Sequence, residues 1–94
     1  MQRKAYTEPE ILTRLGEMPG WALVDGALQK EFKFADFVSA FAFLTRLAIE
    51  SEKMDHHAEI WNVYNRVRIR LNTHDSKGIT DFDFALAQKL DASL

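Results

Sequence analysis

The chain has 94 residues, 47% of them hydrophobic and 28% charged, a length and balance that fit one compact domain over residues 1-94 with a single core. Twelve Lys plus Arg against fourteen Asp plus Glu give a formal charge of -2, too little field to gather nucleic acid or an anionic membrane. The absence of cysteine excludes disulfides, thiolate metal sites and cysteine nucleophiles; no secretory h-region follows the basic N-terminus and no apolar run approaches the ~20 residues of a membrane span, so a cytoplasmic protein is expected.

Thr7-Glu8-Pro9-Glu10 joins a hydroxyl N-cap, a first-turn proline and a carboxylate at N3, and Ile11, Leu12, Leu15 and Met18 then recur at helical spacing up to Pro19-Gly20. Trp21 to Val24 and Leu28 to Phe34 read as the arms of a hairpin, because Asp25-Gly26 between them is a tight-turn dipeptide. From Asp36 to Lys53 the pattern becomes helical, with Phe37, Phe41, Leu44 and Ala48 on one line and Ala40 and Leu47 flanking it. Val38, Ala42, Phe43 and Ile49 fall outside that stripe, so this helix is either deeply buried or a subunit interface.

Farther on, Val67, Ile69 and Leu71 alternate with Arg66, Arg68 and Arg70, the pattern of a half-buried strand. Ile60 to Val63 is a candidate short strand before it; periodicity alone leaves open whether Asn62 to Asn65 turns the chain or continues one strand. Thr80 as N-cap, a carboxylate at N3 and an Ile79/Phe84 staple open a last helix that runs to about Leu90. This order predicts an α+β domain with a mainly antiparallel sheet covered by helices. The arginine row reads as a solvated or intersubunit sheet face rather than a nucleic-acid patch, since no recognition helix accompanies it.

All three histidines, His56, His57 and His74, lie between the long helix and the last one, close in sequence to Glu52, Asp55, Glu59, Asp75, Asp81 and Asp83. Imidazole, with an unperturbed pKa of about 6.5, is suited to proton transfer near neutrality, and a neighbouring carboxylate can orient it. Metal binding is not expected: consecutive histidines diverge, and no His-x-His or His-x3-His pair exists to chelate an ion. No serine elbow and no Gly-rich phosphate loop is present. Acid-base chemistry without a cofactor remains.

The run Glu52-Lys53-Met54-Asp55-His56-His57-Ala58, followed by Tyr64, His74 and Asp83, resembles the signature of the pterin-4a-carbinolamine dehydratases. The resemblance extends from Trp21 through Phe32 to Phe37, Phe41 to Arg46, Trp61 to Asn65, Thr73-His74 and Gly78-Ile79, and so spans roughly Trp21 to Leu90. Ala58 stands where the family usually has proline, which removes a rigid φ without deleting a functional group. The resemblance implies a four-stranded antiparallel sheet with three helices packed on one face, and thereby favours a hairpin at Asn62 to Asn65. It also implies a homodimer or homotetramer, for which the apolar 36-53 helix is the natural contact.

Activity expected from the resemblance is loss of water from 4a-hydroxytetrahydropterin to give quinonoid dihydropterin, in tetrahydropterin recycling. Carried over by position, His56 and His74 would transfer protons and His57 would bind and orient the substrate. Glu52 and Asp83 would hold the rings. Trp21, Asp55 and Thr73 would contact the pterin, Trp21 as a flat aromatic wall unless it is simply packed in the hairpin. An alternative role implied by the same family is a dimerisation scaffold or transcriptional coactivator that needs no catalysis.

Overall fold

Thr7 starts the first helix as its sequence signature requires. In the computed structural model, which describes residues 1–94, the Glu10 backbone donates to the Thr7 hydroxyl and the Thr7 backbone to the Glu10 carboxylate. This helix, α1 (Glu8–Leu15), stops before Met18. Gly16 to Met18 close it in a turn that still buries Met18, so the apolar spacing outlasts the helix by one turn.

The Asp25-Gly26 turn joins β1 (Ala22–Val24) to β2 (Ala27–Lys33). Both turn residues have positive φ, 47° and 79°, the conformation that lets a tight hairpin follow the strand twist. A second hairpin joins β3 (Glu59–Val63) to β4 (Arg66–Leu71), with Val63 opposite Arg66. Tyr64 takes the positive φ in its turn, and the Asn62 side-chain amide donates to the carbonyls of Tyr64 and Arg66. The alternative of one continuous strand is thus excluded. All pairs are antiparallel, in the order β1-β2-β4-β3.

The alternation in β4 fixes which face is covered. Val67, Ile69 and Leu71 are buried and stand opposite Phe32, Lys30 and Leu28 of β2, whereas Arg66, Arg68 and Arg70 point to the open face. There Arg68 donates to Glu31, and its guanidinium lies over Trp61. The helices α1, α2 (Phe37–Met54) and α3 (Asp81–Ala92) cover the other face.

The long helix, α2, does not present the expected stripe. Its buried line is Ala40, Phe43, Leu47 and Ser51, with Phe43 fully buried between Phe32 and Phe34 at ring separations of 4.7 and 5.1 Å. Phe37 and Phe41, expected at the centre of the core face, are 47% and 54% exposed. The helix carries two apolar faces, and periodicity alone cannot say which one meets the sheet. Phe43 therefore belongs to the core and cannot lie in a subunit contact.

Candidate active site

The end of α2 determines how the histidine pair is presented. Asp55 is left-handed, with φ 50°; its N–H donates to Glu52 O and the N–H of His56 to Ser51 O. These bonds are those of a Schellman motif, with Asp in the position glycine usually fills. The chain leaves the helix sharply, and His56 goes into the protein while His57 stays exposed.

Buried beneath His56 is a connected set of polar groups. Asp83, fully buried in the first turn of α3, lies with Oδ1 2.6 Å from His56 Nε2. Its Oδ2 accepts from the Thr73 hydroxyl at 2.8 Å and the Thr80 N–H at 2.9 Å. The two threonine hydroxyls are 2.8 Å apart; since Thr73 donates to Asp83, Thr80 donates to Thr73. A carboxylate receiving these bonds is an acceptor, so His56 donates from Nε2, and in the neutral ring that tautomer leaves the lone pair on Nδ1. An isolated carboxylate at this depth would cost several kcal/mol, and three donors offset that cost.

The second histidine is held differently. His57 Nε2 is 2.7 Å from Glu52 Oε1, but both side chains are mostly exposed, 58% and 78%. His74 begins a short 3-10 turn (His74–Ser76) after β4; its ring is exposed and makes no hydrogen bond within the chain. Thr73 N–H donates to Gly78 O across the base of this turn.

These groups converge on a cleft of about 240 Å³ lined by Arg3, Asp55, His56, His57, Asn72, Thr73, His74 and Asp75, with no apolar side chain among them. Asp83 and Glu52 stand behind the histidines they touch. Trp21 is not brought to the cleft: it is 5% exposed, packs edge-on to Phe32, and donates its indole N–H to Asp91 at 2.9 Å. The hairpin packing weighed as the alternative is what the fold shows: the ring lies against Phe32 of β2 and reaches Asp91 of α3. No three His, Asp or Glu side chains gather as a metal-binding group.

Three residues of the site, Asn72, Thr80 and Arg3, escaped the sequence reading as site residues, and Asp75 figured there only as a neighbouring acid. Asn72 and Asp75 flank the Thr73-His74 pair and could have been found from it. Thr80 was legible only as a helix cap. Arg3 reaches the cleft because residues 2 to 6 run across this end of the fold. Tyr6 N–H donates to Ile79 O, and Gln2 N–H and the Tyr6 hydroxyl both donate to Asp81. The Tyr6 hydroxyl first, then the Gln2 N–H, holds the Asp81 carboxyl below the ordinary carboxylate range.

Comparison with known proteins agrees with this architecture. Residues 4–93 match the family described as pterin 4 alpha carbinolamine dehydratase. A protein of Solibacter usitatus named as a pterin-4-alpha-carbinolamine dehydratase is 54% identical, over 92% of this chain and 90% of its own. One of Rhizobium johnstonii with the same name is 47% identical, over 97% and 92%. The crystal structure of a transcriptional coactivator/pterin dehydratase from Brucella melitensis superposes with a TM-score of 0.92 at 42% identity, covering 95% of this chain and 97% of that one. With a match over nearly its whole length, the chain belongs to the pterin-4a-carbinolamine dehydratase family of hydro-lyases.

Proposed function

We propose that this protein removes water from 4a-hydroxytetrahydropterin by histidine acid-base catalysis, delivering quinonoid dihydropterin to a reductase in a cytoplasmic recycling sequence. The observation that carries the reading is one polar cleft bearing three imidazoles, one of them locked by a fully buried carboxylate. In the reaction the bond between C4a and the hydroxyl oxygen breaks, that oxygen gains a proton and leaves as water, and the adjacent ring N–H loses its proton as the C=N bond forms. An acid and a base must therefore reach one small substrate.

His56 suits the base. Asp83 keeps Nε2 protonated, leaves Nδ1 as the lone pair, and compensates the imidazolium that forms. His74, exposed and without a partner in the chain, suits the acid, since solvent can restore its proton. His57, oriented by Glu52, would bind the hydroxylated ring, and Asp55 and Thr73 would supply polar contacts at the rim. Replacing His56 or His74 with alanine should each lower kcat at least roughly a hundredfold. Wild-type protein no faster than buffer, or full activity in both variants, would overturn the proposal. Chelator treatment should leave the rate unchanged.

A scaffold role has its own observation. Phe37, Val38, Phe41 and Ile49 form an exposed apolar strip on α2, 47% to 77% exposed, and we propose that it joins copies into a dimer or tetramer. Val38→Asp with Phe41→Asp should lower the mass measured by light scattering to that of one chain. An unchanged mass removes this strip from the interface.

A further inference from the structure

None of the side chains lining the cleft is apolar, Trp21 lies elsewhere, and the three imidazoles, its other flat groups, are those the proposed reaction uses for proton transfer and orientation. Arg3 adds a planar cation to that lining. Its guanidinium carbon sits 4.3 Å from the centroid of the Phe82 ring, and the same ring lies 5.8 Å from that of His56. The guanidinium makes no ion pair or hydrogen bond within the chain, so the ring beneath it is its main support. A guanidinium stacked on one aromatic face can stack a second flat ring on the other.

Its seat is also built. The Ser76 hydroxyl donates to the Arg3 carbonyl, Asp81 ties down Gln2 and Tyr6, and Gly78 lets the segment pass, because a Cβ there would meet Ala5 Cβ at 3.1 Å.

We infer that Arg3, backed by Phe82, is the wall against which the pterin ring stacks, a substrate-binding residue for the reaction proposed above, on which this inference rests. Stacking engages the ring and not its side chain. The test is steady-state kinetics on 4a-hydroxytetrahydropterins carrying either a dihydroxypropyl or a methyl group at C6. It is paired with fluorescence titration of 6-methyl-7,8-dihydropterin, which needs no turnover.

Arg3→Ala should raise KM for both substrates roughly five- to tenfold, with kcat changed less than about twofold, and weaken dihydropterin binding by a similar factor. Arg3→Lys, charged but not planar, should recover only part of the loss. Asp81→Ala, which frees the segment, should move KM the same way, while Lys4→Ala should not. A loss confined to the dihydroxypropyl substrate, a change in kcat alone, or no change would overturn the wall. If wild-type protein binds dihydropterin in an Arg3-dependent way yet does not dehydrate, the dehydratase reading fails and the wall stands. If it binds no pterin, both fall.

Discussion

His56 and His57 are neighbours in sequence, each within hydrogen-bond distance of one carboxylate, yet they occupy opposite physical regimes. His56 is 7% exposed and its carboxylate is fully buried, tied to two threonines and a helix N-terminus. His57 and Glu52 meet at nearly the same distance in open solvent. An exposed pair contributes at most about 1 kcal/mol and can rearrange around a ligand. A buried network fixes one tautomer and one ring orientation, and loses most when one member is removed. The proposed roles follow this contrast: proton transfer at the fixed ring of His56 and adaptable binding at His57.

Removing the buried carboxylate should produce the largest effect. Asp83→Ala leaves Thr73, the Thr80 N–H and His56 without their acceptor and should cost ~3–5 kcal/mol, a fall in Tm of more than about 10 °C. Asp83→Asn keeps the volume but turns the wrong groups toward its partners, and should lower kcat roughly a hundredfold. If Asp83→Asn loses no more activity than Glu52→Gln, the contrast between the two histidines disappears.

Thr80 comes next, since it acts on His56 only through Thr73 and Asp83. Thr80→Val should cost ~1–3 kcal/mol, from the N-cap and the orphaned Thr73 oxygen together. It should also shift the pH profile of kcat. Thr80→Ser, which keeps the hydroxyl, should restore that profile, and a profile that does not move would reduce Thr80 to a cap.

How far the sequence reached follows the same division. Caps, turns and the β4 alternation are set by neighbouring residues, so Thr7, Asp25-Gly26, Thr80 and the Val67/Ile69/Leu71 row were readable directly. The covered face of α2 was not, because two apolar stripes of similar strength lie on one helix and only the sheet's position separates them. Within the site, the three histidines and their carboxylates were visible through spacing and family resemblance. Arg3 and Thr80 were not, because each depends on contacts across the fold, Arg3 through Phe82 and Thr80 through Thr73.

On the exposed side the effects should be smaller. Glu52→Gln should raise KM about threefold or less and leave stability within ~0.5 kcal/mol, since both partners already compete with water. A drop in kcat comparable to that of His56→Ala would make His57 a proton carrier instead of a binding residue.

The smallest effect is a stability margin that is lost in acid, and it reports on the segment that carries Arg3. The Tyr6 hydroxyl and the Gln2 N–H stabilise the ionised form of Asp81, so folding lowers its pKa. A lowered folded pKa means that the contribution is complete above the ordinary carboxylate value of about 3.9 and drains away as pH falls through the folded value. Asp81→Asn should accordingly melt below wild type by a constant margin from neutral pH down to about pH 5, and the margin should close below about pH 4. A margin that persists unchanged into strong acid would mean that the segment is held by the Tyr6 to Ile79 backbone bond and the packing of Ala5, not by the charge on Asp81.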